Sequence, residues 1–302
     1  MVNVRRVDLS SLSFFTLVEP ADGPTEGPIH GAAGGSDGAL APTDLARSSW
    51  SREQLHGVAV SGALARTAER TLAALGRDDL RPARHTVDLF RPARFEPCTL
   101  TAEVVRESAR ICLVDVALSQ HGERVARASV LFLKATESTD ASVWEPTERP
   151  SPPPEDVAPP TDAPAVPFLR SDAPWSQDFR QHQNAGRKTS WNAAVPVVAG
   201  ERLTPFQAAA ATADGASLVL NWGSAGVQHI NTDVTLALAR LPRGTEVGLA
   251  ALDRVEVDGI AVGTAAVFDR EGPVGEVVVT SLVNARRSIS FDREEQRDPN
   301  RA

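Results

Sequence analysis

The chain has 302 residues and a formal net charge of −8, and 42% of its residues are hydrophobic while 23% are charged. These proportions are those of a soluble globular protein with one large or two ordinary domains, and the negative charge disfavours a general nucleic-acid binder. No apolar run approaches the roughly 20 residues that a membrane span needs, and the N-terminal segment alternates polar and apolar residues, unlike a secretory signal. We therefore expect neither nucleic acid nor a membrane as a partner.

The predicted elements occur twice, in the same order. An alanine-rich helical stretch from Gly57 to Leu75 precedes four strands between His85 and Leu133. A second helical stretch, from Thr204 to Leu220, precedes four strands between Asn231 and Val283. Each helix has an apolar face to bury against its antiparallel sheet, so the sequence predicts an α+β chain of two similar modules that join edges or pack into one body.

A proline-rich segment separates the two modules. The predicted division is 1–135 for the N-terminal module, 136–174 for the linker, 175–291 for the C-terminal module and 292–302 for a flexible tail. Clustered prolines lack backbone donors and disfavour helical geometry at the residues before them. We therefore expect 145–167 to be extended, with no helix and no sheet pairing of its own.

Several cofactor-dependent and metal-dependent chemistries have no motif in this sequence. It contains no GxSxG, no GxGxxG after a strand, no Walker loop and no CxxC, and its six histidines never fall at metal-ligand spacing. Its two cysteines, Cys98 and Cys112, lie among apolar residues of predicted strands, which favours buried free thiols in a reducing cytoplasm over a disulfide. The sequence therefore predicts a cytoplasmic protein that uses no metal and no cofactor.

Asp214 is the first candidate catalytic residue. It is the only acid in the alanine-lined stretch FQAAAATADGAS of the second predicted helix. If it faces the sheet, partial desolvation raises its pKa toward that of a useful general base. The alternative is a solvent-facing acid in front of Gly215, where the helix loosens.

Other polar positions stand out near the starts of the repeated elements. His56 and Gly57 begin the first helix, whose exposed N–H groups and positive end favour negative charge, although Gly57 is also explained by a tight loop. Asn231, Thr232 and Asp233 interrupt an apolar strand with polar side chains, and the alternative is that Asn231 and Asp233 are turn residues that open the strand. Thr280 lies in the apolar strand VVVTSLV, where a hydroxyl is usually a harmless β-former.

Motifs over roughly Phe14 to Val283 resemble those of double-hotdog acyl-CoA thioesterases of the thioesterase II type, in an actinobacterial-type branch. They are LHGVAVSGALARTAE, HTVDLFRPARF, VPVVAGERLTPFQAAAATADGAS, HINTDVTLALARLP and DREGPVGEVVVTSLV. The resemblance implies two hotdog modules, each an antiparallel sheet wrapped around a long helix. It also implies an active site between the modules, where an Asp, a Thr and a Gln hold the attacking water. In this sequence the Asp falls on Asp214, the Thr on Asn231 and the Gln on Thr280, so two of the three residues differ.

The function that the resemblance implies is hydrolysis of an acyl-CoA or acyl-carrier thioester, in fatty acid or polyketide metabolism. Asp214 would act as general base on a water held by Asn231 and Thr280. Helix amides near Gly57 would form the oxyanion hole, with His56 and Thr232 beside the substrate. Arginines at the sheet rim would meet the phosphates of coenzyme A.

Two other functions remain open at this point. A catalytically silent acyl-binding or acyl-CoA-binding protein would keep the fold and lose the water-holding set. A hydratase or dehydratase would need a histidine and an acid facing one substrate, and the sequence offers His56 no convincing partner. The oligomeric state is open as well, including a homodimer or larger homo-oligomer. We expect one site per chain, weighted toward the second module, because the first helix has no acid before Glu69.

Overall fold

A computed structural model describes residues 12–18, 38–138, 140–284 and 288–291. Within them the strands are β1 (Phe15–Val18), β2 (Ala39–Pro42), β3 (Leu80–Leu89), β4 (Cys98–Glu107), β5 (Ile111–Gln120), β6 (Glu123–Lys134), β7 (Phe168–Arg170), β8 (Thr189–Ala193), β9 (Trp222–Gly223), β10 (Gly226–Val227), β11 (His229–Leu238), β12 (Glu246–Val257), β13 (Ile260–Asp269) and β14 (Gly272–Val283). The helices are α1 (Gly57–Ala74), α2 (Pro205–Asp214) and α3 (Ala216–Asn221). The predicted tail, 292–302, lies outside the described residues.

Twelve of the described strands form a single antiparallel sheet in the order β1-β2-β4-β5-β6-β3-β11-β14-β13-β12-β8-β7. The order reads the same from both ends when each strand is replaced by its counterpart in the other module, so the two halves are related by an approximate twofold axis. The halves join where β3 pairs with β11. There Thr86 lies opposite Thr235, and their hydroxyl oxygens are 3.3 Å apart. The junction pairs two strands that would otherwise be exposed edges.

The two modules also share a β-bulge at the same place. In β3 the register against β6 shifts between Pro82 and Arg84, and in β11 the register against β14 shifts between Asn231 and Asp233. An extra residue in one strand reverses the alternation of side chains beyond it. The bulge in β11 therefore puts Asn231 on the helix side of the sheet, the side that Val234 also faces.

The two long helices pack against each other inside the curved sheet. Small residues let them approach closely, since the Ser61 hydroxyl donates to the Ala210 carbonyl at 2.6 Å and a Cβ on Gly62 would lie 3.4 Å from the Cβ of Ala211. The core fills the space between helices and sheet and is built from large apolar side chains such as Leu64, Leu100, Phe132, Phe206 and Leu249. Full burial of each such side chain contributes about 1.5–3 kcal/mol to folding.

The second predicted helix is two helices in the structure. The Thr204 hydroxyl accepts from the Gln207 N–H at 3.1 Å, and Pro205 occupies the first turn, so α2 begins as the sequence predicts. It ends at Asp214, and Gly215 separates it from α3. The break places Asp214 at the carboxyl end of α2 instead of in the middle of one long helix.

The linker is extended over most of its length. Residues 145–167, all of which the structure describes, contain neither helix nor strand. Ala158 is nevertheless buried against Trp191 and Phe268, and its carbonyl accepts from the Arg270 guanidinium at 2.9 Å. Pairing with the sheet begins at β7, inside the predicted linker. In the described part of the chain, no helix combines the length and the apolar character that crossing a membrane requires.

Candidate active site

A cavity of about 700 Å³ lies between the two modules. The first module contributes the start of α1 and the end of β3, including Gly57 and Leu89. The second contributes the end of α2 and the start of β11, including Asp214 and Asn231. The cavity therefore depends on the pairing of β3 with β11, which brings the two sets of residues together.

Asp214 lies in this cavity with its carboxylate held from two sides. The Asn231 amide donates to Oδ1 at 2.7 Å, and the backbone N–H of Val58 donates to the same carboxyl group. Burial raises the pKa of Asp214 to about 6, and these two hydrogen bonds oppose the rise. The carboxyl is thus ionised at neutral pH but has a pKa close enough to neutrality to accept a proton usefully.

Gly57 is required by the approach of Asp214. A Cβ built on Gly57 would lie 2.1 Å from Oδ1 of Asp214, far inside any real contact. The carboxylate therefore rests on the amino end of α1, where the partial positive charge of the helix stabilises an anion. The sequence predicted that Gly57 opens the helix end to a ligand, whereas in the structure the group that uses this space is Asp214.

Most of the predicted amide donors of α1 already have acceptors. The Val58 N–H is bound to Asp214, and the Ala59 N–H donates to Nδ1 of His56 at 3.0 Å. The N–H of Gly57 is the amide at this helix end that neither bond uses, and the first N–H groups of a helix have no acceptor within it. Of the amides predicted to form an oxyanion hole, the Gly57 N–H is therefore the one that these two hydrogen bonds leave available.

His56 acts as the amino-terminal cap of α1. Its Nδ1 accepts from Ala59, and its Nε2 lies 2.7 Å from the carbonyl oxygen of Leu45, so this nitrogen carries the proton. Burial lowers the pKa of His56 and keeps the ring neutral. The ring lines the cavity, but both of its nitrogens are committed to the backbone, so His56 has no acid partner and no free nitrogen for catalysis.

Thr280 does not join the other predicted site residues, and this prediction is corrected by the structure. In β14 the flanking Val279 and Ser281 are buried on the helix side, so Thr280 faces the opposite side of the sheet and is not one of the described cavity residues. Its backbone carbonyl alone reaches the site, 3.2 Å from the hydroxyl of Thr232. The prediction for Thr280 is wrong because an alignment error of one residue along a strand moves every side chain to the opposite face of the sheet. Ser281 faces inward but is bonded to the amide of Asn221 at 2.9 Å.

Thr232 is the extra residue of the β11 bulge and lines the cavity, and its contact with a substrate stays a prediction. Other residues line the cavity that were not predicted individually from the sequence, including Gln54, Arg91, Ser217 and several aromatic side chains. Ser217 is three residues after Asp214, a helical spacing that could have indicated a shared face. The aromatic side chains come from separate segments of the chain, and no local pattern connects them.

Both halves of the chain match models of one protein family. Residues 46–133 match the model described as the acyl-CoA thioesterase N-terminal domain, and residues 145–283 match the acyl-CoA thioesterase C-terminal domain. The two matches cover most of the chain and include the residues on both sides of the Asp214 cavity. No curated protein matches the sequence significantly.

Solved structures share the architecture at low sequence identity. The tesB protein of Mycobacterium avium subspecies paratuberculosis is 14% identical, over 81% of this chain and 92% of that chain, with a TM-score of 0.57. An acyl-CoA thioesterase II of Mycobacterium marinum is 19% identical, over 77% and 91%, with a TM-score of 0.52. A conserved protein with a hot dog fold from Alicyclobacillus acidocaldarius is 19% identical, over 83% and 93%, with a TM-score of 0.58. These similarities concern the fold, and they confirm the predicted double hotdog.

Proposed function

We propose that this chain, which belongs to the acyl-CoA thioesterase family, hydrolyses an acyl thioester of coenzyme A or of an acyl carrier to a free acid and a thiol. The observation that carries the proposal is the placement of Asp214. Its carboxylate has a pKa raised to about 6 by burial and faces a cavity large enough for an acyl group and its thioester. Membership of the family supports thioester hydrolysis in general. The roles of individual residues are proposed from the geometry of the cavity.

In the proposed reaction Asp214 activates the attacking water. The Asn231 amide and the Val58 N–H each donate one hydrogen bond to the carboxylate, whose remaining lone pairs can accept a proton from the water. The water oxygen forms a bond to the carbonyl carbon of the thioester, and the proton passes to Asp214. The resulting oxyanion expels the thiolate as the carbon–sulfur bond breaks, and Asp214 returns the proton to the sulfur.

The amino end of α1 is the proposed electrophilic part of the site. Gly57 lies at the positive end of α1 and lines the cavity, so its N–H would donate to the carbonyl oxygen of the thioester. Asn231 replaces the family Thr as the side chain that orients the carboxylate. With Thr280 facing away, we propose that Ser217 and Thr232, which both line the cavity, complete the polar surroundings of the water.

We propose that Arg91 contacts the phosphates of the carrier. It lines the cavity next to the end of β3, and its side chain is 59% exposed although it is paired with Glu123. A guanidinium at the rim suits a phosphate, since its planar fork of donors matches phosphate oxygens. Coenzyme A and an acyl carrier both present this group, so the same contact serves either carrier.

One observation favours a second candidate function, that of a silent acyl-binding protein. The structure offers Asn231 and no inward-facing partner at Thr280, so the water-holding set of the family is incomplete. A hydratase or dehydratase is less well supported, because His56 is committed to capping α1.

A panel of acyl-CoA and acyl-carrier thioesters separates these functions. The purified protein is incubated with each thioester, and thiol release is followed with a thiol-reactive dye. We expect catalytic release of thiol from at least one substrate class. Saturable binding of the thioesters with no thiol release would instead favour the silent binder, and water addition to an enoyl thioester would favour a hydratase.

A further inference from the structure

A small apolar cluster, separate from the main core, forms one wall of the Asp214 cavity. Its buried members are Leu169, Trp222 and Val227, and Trp50, Phe179, Leu218, Ile289 and Phe291 pack against them. Six of these eight residues line the cavity, the exceptions being Leu169 and Trp222. Leu218 follows Asp214 by four residues, across the break at Gly215, and lines the same cavity.

The outer part of this wall is a short C-terminal segment, residues 288–291, which we call the strap. Ile289 pairs with Val227 through two backbone hydrogen bonds of 2.8 and 3.0 Å. The backbone N–H of Phe291 donates to Oε1 of Gln183 at 2.7 Å. The Phe291 ring is 5.1 Å from that of Phe179, and these contacts hold the strap against the cavity.

Gly226 makes the close approach of the strap feasible. Its backbone φ of +87° is one that residues other than glycine rarely adopt. A Cβ on Gly226 would lie 2.2 Å from the carbonyl oxygen of Ile289. Gly226 is in β10, which forms a hairpin with β9, and Gly223 lies opposite it in β9. A Cβ on Gly223 would meet nothing within 4 Å. The hairpin thus has one glycine that the strap requires and one that it does not.

We infer that the strap limits the length of the acyl chain that the site accepts, an inference that rests on the proposed function. The group that fits this wall is an unsubstituted aliphatic acyl chain, because Leu218, Ile289 and Phe291 offer it apolar contacts and no hydrogen-bonding side chain. Each methylene group that finds room on such a wall strengthens binding about fourfold. Ile289 and Phe291 close the space beyond the last methylene groups and so select against longer chains.

The test compares kcat/KM for octanoyl-CoA and hexadecanoyl-CoA in variants that enlarge or reduce the space. Phe291→Ala, and more mildly Phe291→Leu, should raise the ratio of hexadecanoyl to octanoyl turnover, the former by about tenfold or more. Ile289→Phe should lower the same ratio. Trp144→Ala removes an aromatic ring that is 82% exposed in the linker, and it should leave the ratio at the wild-type value.

The two hairpin glycines supply a matched pair that leaves the apolar side chains intact. Gly226→Ala displaces the strap and should change the ratio in the direction of Phe291→Ala, whereas Gly223→Ala should not change it. Ratios in the Phe291 and Gly226 variants that equal that of Trp144→Ala would overturn the inference. If the wild-type protein releases no thiol from any acyl-CoA or acyl-carrier thioester, the proposed function fails. The strap is then tested by titrating the same two acyl-CoA thioesters into each variant and following tryptophan fluorescence, and an unchanged preference in binding would overturn it.

Discussion

The two ends of the helix pair carry the same device and use it differently. At one end Asp214 of α2 rests on the amino end of α1, and at the other Glu69 of α1 rests on the amino end of α2. Oε2 of Glu69 accepts from the hydroxyl of Thr204 and from the amide of Gln207, both at 2.8 Å. Burial raises the pKa of Glu69, as it raises that of Asp214.

The difference between the two ends is space. At the Glu69 end Thr204 caps α2, and its hydroxyl lies directly against the carboxylate. Arg66, which is almost fully buried, forms two hydrogen bonds to Glu201 nearby, at 2.6 and 2.7 Å. At the Asp214 end the helix begins with Gly57 and opens into the cavity. A buried carboxylate on a helix end is therefore not sufficient for a site, and what distinguishes Asp214 is the room beside it.

Neutralising each carboxylate is the most direct test of whether Asp214 and Glu69 have different roles. Asp214→Asn should lower thioester turnover about 100-fold to 10,000-fold, because it removes the base and keeps the shape. The matched variant Glu69→Gln should retain near wild-type turnover. Thiol release and circular dichroism are measured for both proteins. Equal losses in the two variants, or none in Asp214→Asn, would contradict the assignment.

A side chain at position 57 tests whether turnover depends on the space between Gly57 and the Asp214 carboxylate. Gly57→Ala places a methyl group against Asp214 and should lower turnover about 100-fold, because a displacement of about 1 Å at a reacting group can cost this much. The double variant Gly57→Ala, Asp214→Asn should be no worse than Asp214→Asn alone, since both changes disable one unit. Losses that multiply in the double variant would show that the two residues act separately.

At the Glu69 end of the helix pair, which we call the closed end, the expected effect is on the stability of the folded protein. Arg66→Ala should lower the free energy of unfolding by about 2 kcal/mol, less than for a fully buried pair because Glu201 is 29% exposed. Arg70→Ala is the control, since its guanidinium is 55% exposed and lies 3.7 Å from the same carboxylate. Urea denaturation of both variants measures the difference. A loss in Arg66→Ala no larger than that in Arg70→Ala would show that this pair does not stabilise the closed end.

The smallest expected effect is a shift in pH dependence. The turnover of the wild-type protein should fall as the pH drops through about 6, because protonated Asp214 cannot act as a base. Asn231→Ala removes a hydrogen bond to the charged carboxylate, so the pKa of Asp214 rises and the acid limb of the profile moves to higher pH. Thr280→Val, on the other face of the sheet, should leave the limb in place. A shift in Thr280→Val instead would restore that residue to the site.

The sequence predicted those features of the molecule that repeat or stand alone in a local pattern. The doubled order of helix and strands predicted two modules, and the single acid of an alanine-rich helix predicted Asp214. Gly57 was singled out from the sequence and lines the cavity, but the group that it admits comes from a helix about 150 residues away and could not be identified locally. Thr280 was predicted to face the site but faces the other side of the sheet, because a shift of one residue along a strand exchanges its two faces. The strap was missed because its contacts join segments with no common sequence pattern.

The pairing of β3 with β11 also bears on how the chain is made. Thr86 and its partner Thr235 are 149 residues apart. At roughly 5–20 residues per second, β3 leaves the ribosome about 7–30 s before the strand that covers its edge. During that interval the N-terminal half carries an unpaired edge and half of a cavity, so joining the two modules is a late, long-range step that slows folding and exposes the nascent chain to aggregation.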